Sequence, residues 1–330
     1  MSRFDDIDLS QLGPLPLGTD TYEGLKQARL GLLVERLAVH GFSYDVDMLE
    51  TDPLVVANAE AGAARELLML SRRDDAIRAV LLTDAWGPFL DALGATQIPP
   101  VARKVMVPAD PVAGTAAVME EDDDYRRRIQ LAPEALSTCG PEGAYLFFAT
   151  DQTGAKAALP IGPMSFGGDY DTPFIPHGCV HIPIVASTGD GTASPELVAE
   201  VQAAVSPTNR RPMADFVTAS SAIIVPYAIK AIVHVGQGPD RDEVRKRALA
   251  RLAAQALRQH RPGAAQRLRM LYGAASVPDA NGRNLTEDVE LISPTADVNG
   301  VPITVATPQG AYRAPYCTGI EVEVRLADDA

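Results

Sequence analysis

After an Asp52-Pro53 pair, no proline interrupts the chain until beyond Leu82. Asp is a strong N-cap and proline is at ease at the first helical position, so the pair marks a helix start. Leu54, Ala57, Ala61, Ala64 and Leu68 then recur at coiled-coil-like spacing. About thirty residues of helix would reach roughly 45 Å. A rod of that length with a narrow, alanine-rich stripe seldom completes a compact core alone. Two architectures satisfy it: a long helix in a self-contained bundle, or one member of a bundle between subunits.

Upstream, residues 1–18 mix Asp, Pro and Gly without periodicity and read as an extended arm. Asp20 with Glu23 makes a capping box for a helix through Leu25, Leu32, Leu33 and Leu37, with Gly41 as its stop. Downstream, Trp86-Gly87-Pro88 breaks the long helix, and Phe89, Leu90 and Leu93 begin a short amphipathic turn. The proline-bearing stretch 94–119 holds little pattern and marks a domain boundary.

The segment Asp122–Thr150, DDDYRRRIQLAPEALSTCGPEGAYLFFAT, sets three acids one turn before three arginines. Asp122 with Arg126, Asp123 with Arg127, and Asp124 with Arg128 form i,i+4 pairs of the favourable orientation, each adding only ~0.2–0.5 kcal/mol if exposed. The helix stops at Pro133 and a second one restarts at Pro141. The chemistry of the segment is that of a docking joint.

The C-terminal half changes character. Cys179–Ala186 reads as a strand, followed by the Gly189-Asp190-Gly191 turn and a helix from Ser194-Pro195 through Val205. Further strands are expected at Phe216–Thr218, Ala222–Val225, Ile229–Val235, Val289–Ile292 and Ile320–Val324. An arginine-rich helix carrying Arg241, Arg245, Arg247 and Arg251 runs to about His260, and a short one covers Ala264–Leu271. The fold class is therefore α+β: an N-terminal long-helix bundle segment followed by two small mixed α/β lobes. The expected divisions are an arm at 1–18, a helical domain at 19–110, a central α+β domain at 111–214 and a C-terminal α+β ring or dimerisation domain at 215–330.

A formal charge of −14 over 330 residues speaks against nucleic acid or an anionic membrane as principal partner. The arginines of 241–251 are then solvated helix faces or ion-pairing partners for other subunits. Three widely spaced cysteines suit a reducing compartment and give neither a disulfide framework nor a metal motif. The N-terminus lacks a basic region followed by an apolar core, so no signal peptide is expected, and no apolar run approaches the ~20 residues that span a bilayer.

Catalytic chemistry finds little footing. His177, Cys179 and His181 would share one face of a strand, but no carboxylate or second ligand pair accompanies them. Gly189-Asp190-Gly191-Thr192 lacks the lysine of a phosphate loop and the spaced carboxylates of a calcium loop, so it reads as a tight turn. Ser137 to Gly140 has no nucleophile-elbow frame. The Glu120–Asp124 run is better matched to the arginines after it than to a cation. No cofactor and no metal are expected. The runner-up, a small α/β enzyme, would place its site in the 162–191 loops.

The run RRRIQLAPE, a small-residue linker and GPEGAY together resemble the central signature of the baseplate J-like family, wedge proteins of contractile phage tails and related injection machines. The opening MSRFDDIDLSQL, the helix through RELLMLSRRDDAIRAVLL and the closing CTGIEVEV extend the resemblance over most of the chain. It implies a non-enzymatic structural subunit of the virion's tail baseplate, assembled in the bacterial host cytoplasm. The N-terminal helices would bundle with a second wedge protein. The C-terminal half would meet other copies of the chain to close a ring around the hub, near the sheath, and rearrange when the sheath contracts. A baseplate subunit of a cellular contractile injection system is the alternative within this class. No nucleic acid or membrane partner is implied. The interaction residues would be Asp122, Asp123, Asp124, Arg126, Arg127, Arg128, the stripe Leu54, Ala57, Ala61, Ala64 and Leu68, and Arg241, Arg245, Arg247 and Arg251. The stretches 162–178 and 298–315 depart from the family's pattern and look inserted.

Overall fold

The long helix forms where its start signal stands. In the computed structural model, which describes residues 17–18, 20–109, 114–137, 139–238, 240–278 and 284–327, Asp52 caps it by accepting from the Leu54 N–H, and it runs Pro53–Ala79. We label it α3. Before it come α1 (Tyr22–Val39) and a single turn, α2 (Val46–Leu49); after it comes α4 (Gly87–Ala95). The arm expected over 1–18 lies outside the described residues, save Leu17 and Gly18. The cap of α1 is corrected by one position. Extended Thr21, not Asp20, accepts from the Gly24 N–H. Its other end follows the sequence: Gly41, at φ +83, lets its own N–H reach the Ala38 carbonyl and the Phe42 N–H reach Leu37.

The described chain divides into two compact units between Thr96 and Gln97. In the first, α1 crosses α3 at Gly62, where the Arg29 guanidinium lies so close that a Cβ would stand 2.4 Å from it. The core here is small: Leu30, Leu49 and Ala59, with Val34, Leu37, Val46 and Val55 packed against them. Leu30 faces inward with Leu37 packed beside it, whereas Leu32 and Leu33 are exposed.

The second unit is built on sheets. A two-stranded ribbon pairs β1 (Val105–Val107) with β2 (Val118–Met119), and leads into α5 (Asp122–Leu131), a 3-10 turn at Ala132–Leu136, and α6 (Glu142–Thr150). Then β3 (Ala155–Ala158) pairs antiparallel with β4 (Cys179–Ala186), and β4 pairs parallel with β5 (Phe216–Ser221) across α7 (Pro195–Val205). Ala222 carries the chain from this sheet into the next. That sheet has the order β7-β6-β8, with β6 (Ile223–Val235) central, β7 (Thr286–Ser293) antiparallel to it and β8 (Arg313–Leu326) parallel. The helices α8 (Arg241–Gln259) and α9 (Leu268–Ala275) cover one face of it.

The strands expected at Ala222–Val225 and Ile229–Val235 are one. Pro226 separates two apolar runs in the sequence, yet it sits exposed within one continuous β6, opposite Tyr316. α9 begins four residues later than expected, because Gln266 exchanges backbone hydrogen bonds with Val298 and Asp297 caps the Leu268 N–H. The largest core lies under α8: Val244, Ala248, Leu252 and Ala256, one turn apart, pack on Tyr227, Ile229, Val233 and Val235. The two stretches that looked inserted are partners. Phe166, Phe174 and Ile175 from the first pack with Ile303, Val305 and Ala311 from the second.

Candidate interaction surfaces

The signature helix α5 is anchored more deeply than exposed pairs would anchor it. Arg128 is 4% exposed. Its Nε and Nη2 donate to both oxygens of buried Glu120 at 2.9 and 2.7 Å, Nη2 also reaches the Ala102 carbonyl, and Nη1 pairs with Asp151. This corrects its expected partner: Arg128 pairs with Glu120 and Asp151, not Asp124. Lys104 lies beside it, donating to the Thr150 and Gln152 carbonyls. Burial, with the Arg128 charge adding to it, lowers the lysine's pKa to about 8. Arg103 pairs with Asp122 at 2.6 Å and stands 4.7 Å over the Tyr125 ring, whose hydroxyl donates to the Val101 carbonyl. Three cations and three carboxylates thus share one knot, in which Arg103 and Arg128 are ion-paired while the Lys104 ammonium rests on backbone carbonyls. Removing one partner from such a knot costs more than the pair itself contributes.

The other pairs of α5 also depart from the expected spacing. Arg126 meets Asp123 and Arg127 meets Asp124, both at i,i+3. Asp123, Asp124 and Arg127 are the members left facing solvent. The second half of the signature is likewise internal. Gly140, at φ +73, leaves room for Pro212 and Asp215, and buried Tyr145 donates to the Asp215 carboxylate at 2.8 Å. Burial and that carboxylate raise the Tyr145 pKa.

The α3 stripe is the opposite case. Leu54 is 79% exposed and Leu68 51%, and Ala57, Ala61 and Ala64 between them are exposed as well. The side of α3 turned toward α1 is another one, running through Val55, Ala59, Gly62 and Ala63. Of the α8 arginines, Arg245 and Arg247 pair with Asp242 and Glu243 on the same helix. Arg251 instead donates to the Gly273 and Ala274 carbonyls at the end of α9, where the helix dipole favours a cation.

The histidines do not converge. His177 lies before β4, with its Nε2 at the Tyr170 carbonyl. His181 on β4 has Thr218 and Ser220 hydroxyls at its two ring nitrogens, and burial lowers its pKa. A neutral imidazole between two hydroxyls staples parallel strands. Among the described residues no carboxylate pairs with it to stabilise a charged ring. Among the described residues no three His, Cys, Asp or Glu side chains come together as metal ligands. Sequence reasoning matched the Glu120–Asp124 run to the arginines without singling out Glu120 for Arg128, and it missed Lys104 and Asp151, which come from separate segments. The signal within reach was Glu120 itself, a carboxylate eight residues before an arginine on an otherwise apolar helix flank.

A model of the baseplate J-like N-terminal domain matches residues 50–110. Over 303 residues, 88% of this chain and 92% of the relative, the sequence is 36% identical to baseplate protein J of Escherichia phage P2. The chain belongs to the baseplate J-like family. It is a structural protein of the phage tail baseplate. The matched domain of this baseplate J-like chain contains all of α3 and its exposed stripe, together with Lys104 of the knot.

Proposed function

We propose that the chain is a wedge subunit present in several copies per baseplate. Its N-terminal helices bundle with a second wedge protein, its C-terminal unit joins copies into a ring around the hub, and the joints repack when the sheath contracts. The observation that carries the bundling role is the exposed α3 stripe: five positions at heptad-like spacing, on a helix within the family-matched region, that no other described part of the N-terminal unit covers. Such spacing suits insertion between the side chains of a facing helix. Interfaces that hold two arrangements of similar free energy provide a mechanical switch without chemistry. Asp123, Asp124 and Arg127 remain available at the signature for a partner, while the buried members hold α5 in place for it.

The test is tail assembly with Ala57→Glu and Ala61→Glu together. Both sites are exposed, so the purified chain should melt within about 0.5 kcal/mol of the wild type. Tails should nevertheless assemble without complete baseplates in electron micrographs. Normal baseplates in the variant would defeat the bundling role, and a single copy per particle would defeat the ring.

A further inference from the structure

Among the described residues the β7-β6-β8 sheet is covered on one face only, by α8 and α9. On the side away from α8 and α9 it presents Asp288, Glu290 and Ile292 from β7, Lys230, Ile232 and His234 from β6, and Glu321, Glu323 and Arg325 from β8. Lys230, Asp288, Glu290, Glu321, Glu323 and Arg325 are all exposed, which leaves this face open among the described residues. That is unusual for a sheet with a long parallel pair, since parallel strands are ordinarily covered on both sides. The centre of the face is already dry: Ile232 is 4% and His234 8% exposed, and the buried His234 Nδ1 has no hydrogen-bond partner. Around that centre Lys230 is paired with Glu321 and Arg325 with Glu323, whereas Asp288 and Glu290 form no ion pair within the described residues and only the more distant field of Arg325 reaches Glu290. The surplus charge of the face is negative.

The outer side of α8 is complementary. Opposite its buried stripe run Lys246, Ala250, Ala253 and Leu257, at spacings of four, three and four, all exposed. Two alanines make this ridge low enough to lie flat on a sheet, and Leu257, 63% exposed, gives it an apolar end to set against Ile292, 50% exposed. Together with Lys246 itself, the flanking Arg245 and Arg247 outnumber Asp242 and Glu243. Lys246 has no carboxylate paired to it within the described residues, as Asp288 and Glu290 have no cation.

We propose that the uncovered sheet face takes the outer face of α8 from a second copy of this chain. The two patches lie on opposite sides of one sheet-and-helix layer. The contact is therefore head-to-tail: each copy offers a helix to one neighbour and a sheet to the other, which generates a ring where the rotation closes. Electrostatic complementarity of this kind fixes register and partner choice more than raw affinity. The docked helix also supplies polar side chains to the layer that His234 Nδ1 faces. The inference rests on the multi-copy reading above and names the surfaces that would carry it.

The experiment uses the full chain and sedimentation velocity at low salt. Asp288→Lys with Glu290→Lys reverses the sheet patch, and Lys246→Glu with Arg247→Glu reverses the helix patch. All four sites are exposed, so melting temperatures should be retained. Each variant alone should lose self-association by about tenfold or more. An equal mixture should regain it, because each variant's sheet then matches the other's helix. Added salt should weaken the wild-type contact. A wild type that stays monomeric at high micromolar concentration overturns the proposal and leaves the face to another segment of this chain or to a different protein. Either reversal being silent, or the mixture failing to associate, overturns it too. Failure of the ring reading is separately visible. A particle with one copy, alongside swaps that behave as expected, keeps the contact and removes the ring. A multi-copy ring with silent swaps does the reverse.

Discussion

The N-terminal helical unit and the sheet under α8 bury apolar surface by different means. In the first, three buried residues, Leu30, Leu49 and Ala59, hold α1 and α2 against α3. The large side chains Leu32, Phe42, Met48, Leu54, Leu68 and Met69 stay exposed. In the second, α8 lays Val244, Ala248, Leu252 and Ala256 on a sheet whose central strand is buried on both faces from Ala231 to Val235. Hydrophobic stabilisation scales with the apolar area removed from water. The C-terminal layer therefore has the means to stand alone, and the helical unit has apolar surface left over for a partner. Exposed apolar surface of this extent in a structural protein marks where another chain is expected.

The largest effect that would break this comparison lies in the arginine knot, which belongs to the better-buried unit but depends on charge. Arg128→Leu should destabilise the chain by about 3–5 kcal/mol, because Glu120 is left buried without its bidentate partner. Urea denaturation reads the loss. A variant within about 1 kcal/mol of the wild type would mean that Glu120 takes a proton or reaches water cheaply, and the knot would then be incidental to the signature.

Leu30→Ala sharpens the contrast from the other side. It should cost about 2–4 kcal/mol, a large share of what so thin a core supplies. Hydrogen exchange should show amides of Tyr22–Val39 and Pro53–Ala79 already less protected than those of Ile223–Val235 in the isolated wild-type chain, and losing protection together in the variant. Amides of β6 should be unaffected. Equal protection of the two regions in an isolated monomer would remove the argument that the helical unit awaits a partner.

What the sequence made legible follows the range of the interactions concerned. Asp52-Pro53, Ser194-Pro195 and the Gly41 stop act within a few residues, and α3, α7 and the end of α1 appear where those signals stand. The α+β class was legible for the same reason. The α3 stripe was legible as a pattern, but which side of the helix meets α1 was not, since that is decided by Gly62 admitting Arg29. Arg128 was misassigned to Asp124 because local spacing offered a partner, while burial favoured Glu120 and Asp151, the latter from beyond α6. The pairing of the 162–178 and 298–315 stretches through Phe174 and Ile303 joins segments more than a hundred residues apart, and no local signal announces it.

The smallest expected effect is a pH dependence confined to the second unit. Lys104 has a folded pKa of about 8, against 10.5 for an ordinary lysine, and burial is the leading cause. Below pH 8 the side chain is charged in both states, and the native state carries the full cost of holding that charge out of water. Between pH 8 and 10.5 the native state gives up the proton while the unfolded chain keeps it. The unfolded state then binds more protons, so stability rises with pH in that window and levels off above it. The gain should be about 2 kcal/mol between pH 8 and 10. Tyr145 and Tyr227, whose pKa values burial raises, act in the opposite direction once unfolded tyrosines ionise near pH 10. The informative quantity is therefore the difference between wild type and Lys104→Met across pH 8 to 9.5. Met keeps the length of the side chain and removes the titrating group, so the variant should lack the rise. In the helical unit, Lys26–Glu60 and Arg29–Glu66 are partly exposed pairs and the buried charge is a carboxylate, Asp74, paired with Arg73, so its own transition should be flat over the same range. Parallel curves for wild type and variant would place the Lys104 ammonium in contact with water, and the contrast between the two units would then rest on apolar burial alone.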